Sequence, residues 1–297
     1  YINAGSMDVL DRSLVNASAF GSEGNAGAIE IRVAGMLRLD GAPAPGSVPE
    51  DGAWVGAMIA TWNYWNVDGS QQAPVPGGPG SVQIYAGSVE LVNHGDISSQ
   101  CALCTSNSNT RPNGSAGVPI TADTTFGSAD TGASANRGEI AIDTRSLVVG
   151  PNSEINAGAW GGSDQAGRIT IAADSLRLES GGRITVGTSG VGDAGTVTIE
   201  ARTVTLESGG TIYANTTGAG EGGAVEIVAD SVTIESGGSI NTTTVGDGDA
   251  GTIDIAASDS IYLTNAGGER FSLIAALQGR PVPGIVSATV GRGAGGS

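Results

Sequence analysis

Four aromatic residues of this 297-residue chain lie close together in the sequence: Trp54, Trp62, Tyr64 and Trp65. Aromatic rings at an exposed site stack on sugar rings or anchor a protein partner, which makes these four the candidate ligand-binding residues. The alternative is that segment 57–65 is a hairpin or an extra strand whose rings fold down onto the flank of the protein. The sequence leaves both interpretations open.

The only two cysteines, Cys101 and Cys104, are also close in sequence. In a secreted chain such a pair suggests a disulfide, and this spacing can close one within a tight loop. A redox motif would need a helix amino-terminus in a βαβ setting. A metal site would need two more soft or imidazole ligands, and the sole histidine, His94, is a poor candidate for one of them. We therefore predict a local structural disulfide and no metal.

Carboxylates recur at a constant 28-residue step in two series, which are Glu179, Glu207 and Glu235, and Asp193, Glu221 and Asp249. If the repeats stack about 4.8 Å apart, such carboxylates repel one another, and solvent and salt screen them. Ca²⁺ could bridge them, with Asp247 as a further ligand, but the Gly-Gly-x-Gly-x-Asp motif of calcium-binding β-rolls is absent. The sequence favours an exposed acidic stripe and leaves calcium as the only cofactor to consider.

The elements that position these residues follow from an internal repeat. Segments beginning at Ala166, Ala194 and Gly222 align without a gap, each one 28-residue step after the one before. Within each segment apolar residues alternate between glycine-rich breaks, which is typical of short strands with one buried face and excludes helix. The residues predicted to point inward are Val197, Ile199, Val204, Leu206 and Ile212.

A repeat that cannot bury its apolar face alone stacks on its neighbours and forms a solenoid. We predict an all-β parallel β-helix with about three short strands per 28-residue coil and roughly eight coils, in one domain spanning 1–297. Longer steps indicate insertions at about 41–79, 98–136 and 265–292, where function is expected. The glycines that open successive coils are Gly27, Gly80, Gly138, Gly167, Gly195, Gly223, Gly251 and Gly295.

Composition excludes some functions. The chain has 30 acidic and 13 basic residues, a net charge of −17 and no lysine. An acidic chain without a basic stripe lacks the electrostatic footprint of a nucleic-acid binder. No apolar run is long enough for a transmembrane helix. The chain starts in the middle of the pattern without a signal peptide and stops at the start of another repeat, so we expect a fragment of a longer array.

The repeat at 192–216, with its relatives at 164–188, 220–244 and 248–264, resembles the filamentous-haemagglutinin-like exoproteins of bacterial two-partner secretion. The resemblance implies a right-handed β-helix stalk or filament at the extracellular bacterial surface, used in adhesion, aggregation or biofilm formation. It implies secretion through an outer-membrane transporter. Expected partners are a glycan or protein receptor on a cell surface, sister cells, and further copies stacked end to end.

Two other functions stay open. A purely structural surface filament or surface-layer protein would have no specific ligand. A polysaccharide lyase or hydrolase can share the β-helix, but it needs a pair of carboxylates at a defined separation, or a base beside metal-holding carboxylates. The ranges 41–79 and 98–136 are poor in acidic residues, and lysine is absent. The sequence therefore predicts that the protein is not an enzyme.

Overall fold

The computed structural model describes residues 1–11, 13–20, 26–42, 57–64, 80–102, 138–159, 165–179, 181–207, 209–235, 237–264 and 284–296. Within these ranges the protein is all-β, without a helix, and its strands pair in parallel in two sheets. No helix in this part of the chain is long and apolar enough to cross a membrane. The arrangement is consistent with the predicted parallel β-helix or solenoid.

The first sheet contains nine strands, most of them long. They are β1 (Ile2–Ala4), β2 (Met7–Leu10), β5 (Ala28–Asp40), β7 (Ser81–Val92), β9 (Glu139–Val149), β11 (Arg168–Leu178), β13 (Thr196–Leu206), β15 (Ala224–Ile234) and β17 (Thr252–Leu263). Their order is β1-β5-β7-β9-β11-β13-β15-β17, and β2 also pairs with β5. The strands therefore follow one another across the sheet in chain order.

The second sheet also contains nine strands, most of them short. They are β3 (Leu14–Asn16), β4 (Ala19–Phe20), β6 (Ala57–Tyr64), β8 (Gly95–Ala102), β10 (Glu154–Asn156), β12 (Arg183–Thr185), β14 (Thr211–Tyr213), β16 (Ser239–Asn241) and β18 (Gly284–Val286). The order runs from β18 through β16, β14, β12, β10, β8 and β6 to β3, with β4 also beside β6. From β5 onward the chain contributes strands to the two sheets alternately.

The strands within a repeat differ from the predicted three. The two runs predicted as separate strands, 197–201 and 204–206, form the single strand β13. Its pairing with β11 omits Arg202, and the buried positions change phase at this point, so the alternation stops and restarts within one strand. We call this point the bend of the long strands. After β14 the third line of contact is a single bridge at Thr216, which pairs with the equivalent threonines of the neighbouring repeats.

The pairing register confirms the 28-residue repeat. Thr196 of β13 lies opposite Arg168 of β11 and Ala224 of β15, so each pair is separated by one 28-residue step. The glycine steps have a steric reason, because a Cβ at Gly195 would overlap the carbonyl oxygen of Gly167 in the preceding repeat. The last predicted step is wrong by one residue, since the glycine over Gly251 is Gly296 and not Gly295.

The core is one continuous apolar cluster between the two sheets. All five residues predicted to point inward are at most 1% exposed, which confirms the facing of the strands. Each such aliphatic side chain stabilises the fold by about 1.5–3 kcal/mol through burial. Five consecutive strands of the second sheet, from β8 to β16, each supply one fully buried isoleucine, and these are in register: Ile97, Ile155, Ile184, Ile212 and Ile240.

Parts of the second sheet lie inside the predicted insertion ranges. Strand β6 lies inside 41–79, yet it pairs with β3 and β8 and belongs to the second sheet. The range 98–136 includes the end of β8, and 265–292 includes β18 and the bridge residue Thr289. An extra strand at 57–65 is one of the two interpretations that the sequence leaves open. Local patterning could not reveal which strands these segments pair with, because their partners are distant in sequence and the repeat is interrupted there.

Candidate functional site

Two of the four predicted ligand-binding aromatics lie on a described strand. Trp62 and Tyr64 belong to β6, where their backbones pair with β8. Trp54 and Trp65 lie outside the described residues. Segment 57–64 is a strand of the second sheet, so the backbones of Trp62 and Tyr64 belong to that sheet and not to a projecting loop. Ligand binding by the four aromatics stays a prediction.

The predicted disulfide involves one described strand. Cys101 is the next-to-last residue of β8, opposite Asn63, and Cys104 lies outside the described residues. His94 has a left-handed backbone with φ of 68°, and burial lowers its pKa. Within the described residues no group of three or more His, Cys, Asp or Glu side chains is placed to hold a metal ion. The bond between the cysteines stays a prediction.

The acidic series that begins at Asp193 makes hydrogen bonds between neighbouring repeats. Asp193 Oδ1 accepts the backbone N–H of Glu221 at 2.9 Å, and its Oδ2 accepts Nε2 of Gln165, also at 2.9 Å. Asp249 Oδ1 accepts the backbone N–H of Ala294 at 2.6 Å. The recurrence of these acids thus has a structural reason, because carboxylates that accept backbone N–H groups hold each turn onto the next.

Charges at the bend of the long strands alternate in sign between repeats, which sequence analysis missed. Asp174, Arg202 and Asp230 occupy the unpaired position in β11, β13 and β15. Arg202 Nε lies 3.3 Å from Asp174 Oδ1, and Ser258 Oγ donates to Asp230 Oδ1 at 2.9 Å. Exposed pairs of this kind contribute about 0–1 kcal/mol each. The 28-residue spacing of these three positions is the signal that could have found them.

Two carboxylates are buried side by side in the second sheet. Asp96 of β8 lies opposite Glu154 of β10, and they are only 3% and 7% exposed. Asp96 Oδ1 accepts the backbone N–H of Glu154 at 2.9 Å, while Asp96 Oδ2 has no partner within the described part of the chain. Burial raises the pKa of Asp96 well above its ordinary value, and the Glu154 carboxylate raises it further.

Burial also raises the pKa of Glu154, although a hydrogen bond from Thr185 and the charge of Arg183 act against the rise. Neighbouring carboxylates with raised pKa values are the groups that general acid–base catalysis uses. Here both side chains are buried, so the protonation of these carboxyl groups affects chiefly the stability of the fold. Sequence analysis missed the pair, although the 58-residue step from Gly80 to Gly138, applied to Asp96, gives Glu154.

A polar groove lies over the bend of the first long strands. It has a volume of about 490 Å³ and its polar lining comes from β1, β5, β7 and β9. The lining residues that can make polar contacts are Asn3, Arg32, Tyr85, Gly87, Asp143 and Arg145. Two guanidinium groups, a carboxylate, an amide and a phenol thus surround one open space. Side chains of both charge signs and neutral polar side chains converge at this surface.

Comparisons of the chain with protein-family models, curated proteins and solved structures gave no match. No relative therefore assigns a role to the groove, to the buried carboxylates or to the aromatic residues. What these residues can do follows from their chemistry and their placement.

Proposed function

We propose that this chain is a segment of a right-handed parallel β-helix of about eight coils that forms the extracellular stalk of a bacterial adhesin. The observation that supports the proposal is the continuous parallel pairing of both sheets, with strands following one another in chain order. At about 4.8 Å per coil, such a stack is a rod on the order of 40 Å long. A rod of this kind carries a binding surface away from the cell.

The strand pairing also suits a protein that is exposed to force and to solvent outside a cell. Each inner strand donates and accepts hydrogen bonds on both sides, so its backbone groups are satisfied without water. The surface is acidic, with a net charge of −17 and no lysine, which keeps the chain soluble and excludes a basic surface for nucleic acid. The resemblance to two-partner secretion exoproteins supports export through an outer-membrane transporter.

Recognition is proposed to depend on residues that depart from the repeat. The regular repeats present the same Thr, Glu and Gly positions again and again, which offers no unique surface. The departures are the predicted insertions at about 41–79, 98–136 and 265–292, apart from their sheet strands, together with the glycine-containing bend of β5 and β7. The proposed partners are a glycan or protein receptor on a host cell, or sister bacteria.

Deletion of these ranges tests the adhesin proposal. Residues 43–55, 66–78 and 104–136 are removed in three separate variants, which spare β6 and β8 because both belong to the second sheet. Cooperative melting followed by circular dichroism shows whether the sheets persist. Attachment of the wild-type chain to cells and to immobilised glycans is then compared with each variant, and at least one deletion is expected to reduce it.

Complete absence of attachment by the wild-type chain would overturn the adhesin proposal and favour a purely structural filament. Turnover of acidic polysaccharides, with or without Ca²⁺, would instead favour a lyase or hydrolase. Undiminished attachment by all three variants would move recognition to the described surface of the sheets.

A further inference from the structure

The bend of the long strands has different residues in the two halves of the molecule. In β11, β13 and β15 its unpaired position holds the charged residues Asp174, Arg202 and Asp230. In β5 and β7 the equivalent positions include Gly35 and Gly87. Glycine contributes no side chain to the bend in these two strands, and this is where the groove lies.

The floor of the groove is backbone. Strand β5 has one extra residue at the bend, so Ala34 and Gly35 together oppose Gly87 in a β-bulge. A Cβ on Gly87 would lie 2.7 Å from the carbonyl oxygens of both residues and 3.0 Å from Nη2 of Arg145. Only glycine fits this position without a shift of the backbone. The Arg145 guanidinium lies over it, with Nε 3.4 Å from the Gly87 carbonyl oxygen.

One wall of the groove is held in place before any ligand arrives. Arg32 Nε donates to Glu30 Oε1 at 2.7 Å, and the guanidinium lies 4.1 Å from the centroid of the Tyr85 ring. Asp143 is the register partner of Tyr85 on the other side. A guanidinium has five N–H donors, so one contact to Glu30 leaves others available. Groups fixed in this way lose little side-chain entropy on binding.

We propose that this groove binds a neutral saccharide unit of a glycan through pairs of adjacent hydroxyl groups, a proposal that rests on the adhesin function. Each sugar hydroxyl both donates and accepts a hydrogen bond. The groove offers complementary groups, since Arg32 and Arg145 donate, Asp143 accepts, and Asn3 does both. The groove is shallow and open to solvent, with a volume of about 490 Å³.

Charge decides between neutral and acidic sugars. Glu30 pairs with Arg32, and Asp143 lies in the same groove as Arg145, so the two arginines are balanced by two carboxylates. The whole chain carries a net charge of −17, which repels polyanions at long range. A sulfated or uronic-acid polymer would therefore meet no positive surface, whereas the binding of a neutral saccharide is not weakened by the negative charge of the chain.

The test measures binding of the purified chain to neutral oligosaccharides of glucose, galactose and mannose, with matched uronic-acid and sulfated oligomers. We expect binding among the neutral sugars, and Arg145→Ala and Asp143→Asn should each weaken it at least tenfold in calorimetric titration. Arg202→Ala is the matched control, because Arg202 occupies the same bend position in a regular repeat. All three side chains are exposed, and circular dichroism checks that each variant keeps its fold.

Each result distinguishes the groove from the adhesin function. Equal binding by wild type and Arg145→Ala would overturn the groove and leave the adhesin proposal standing. Binding restricted to acidic sugars, weakened by salt, would overturn the neutral-saccharide assignment. Attachment to cells without any sugar binding would overturn the groove alone, and absence of both would overturn the adhesin proposal as well.

Discussion

The regular repeats from β11 to β16 and the earlier strands from β5 to β10 share one core but differ at the surface. In the regular part each strand pairs with residues 28 positions away. In the earlier part Ala28 of β5 lies opposite Ser81 of β7, a 53-residue step, and Ser81 lies opposite Glu139 of β9, a 58-residue step. The buried apolar positions nevertheless stay in register throughout. In this architecture the buried inner face of the strands is therefore fixed, whereas the outer surface varies.

The outer differences are concentrated in the earlier part. It contains the glycine bend with its groove, the β-bulge of β5 and the buried carboxylates Asp96 and Glu154. The regular part places charged residues at the bend and carboxylate-to-backbone bonds between turns. Features that could recognise a ligand or respond to pH therefore lie where the repeat is irregular.

The largest effect should come from a charge placed in the shared core. Leu206 in the regular part and Leu91 in the earlier part are both fully buried in the same line of register. Leu206→Asp and Leu91→Asp should each lower the free energy of unfolding by about 3–5 kcal/mol, because a buried charge has no partner. Denaturant unfolding measures both, and Glu207→Ala, at a partly exposed position, should stay within about 0.5 kcal/mol. A small loss for Leu91→Asp would show that the two parts do not share one core.

A second effect tests close approach between repeats. Gly195→Ala should destabilise the protein by about 1–3 kcal/mol, since its Cβ would overlap the Gly167 carbonyl oxygen. Gly5→Ala is the control in the first strands, where no atom lies within 4 Å of the added Cβ. It should be neutral or stabilise by up to about 1 kcal/mol through the unfolded chain. Equal unfolding midpoints for the two variants would refute the steric argument.

A third effect concerns pH. The pKa of Asp96 is raised in the folded protein, so unfolding releases a proton from this carboxyl group. The contribution of Asp96 to the free energy of unfolding therefore falls as the pH rises from the pKa of the unfolded state through the pKa of the folded state. Asp96→Asn keeps the acceptor for the Glu154 N–H and removes the charge. It should stabilise the protein by about 1 kcal/mol above neutral pH and flatten the decline.

Melting temperatures between pH 4 and pH 9 check this prediction, with exposed Asp254→Asn as the control that leaves the profile unchanged. A steeper fall of stability with pH in Asp96→Asn would contradict it. Asp96 of β8 lies opposite Glu154 of β10. Loss of the proton from Asp96 is therefore expected to weaken the pairing of these two strands first.

The smallest effect should come from reduction of the predicted bond between Cys101 and Cys104. A disulfide that closes so few residues restricts the unfolded chain little. Reduction should leave the β-sheet circular dichroism and the melting temperature nearly unchanged. Detection of two free thiols by mass spectrometry, or a large loss of stability on reduction, would count against the prediction.

Part of the fold could be predicted from sequence. The repeat predicted the inward residues and the coil-opening glycines from Gly138 to Gly251. The groove could not be predicted, because Arg32, Tyr85, Asp143 and Arg145 come from three strands separated by unequal steps. The sequence leaves open an extra strand at 57–65, and the structure has the strand β6 there. Its partners β3 and β8 could not be predicted, since they lie outside any repeat.

The sequence by itself determined the period, the parallel stacking and the buried face of each strand, because alternation is local and identical repeats stack in register. Only the tertiary structure decided which irregular segments join the sheets, which carboxylates become buried and which side chains meet in the groove over the bend. These outcomes depend on contacts between residues separated by 38 to 58 positions, and no local preference specifies such contacts.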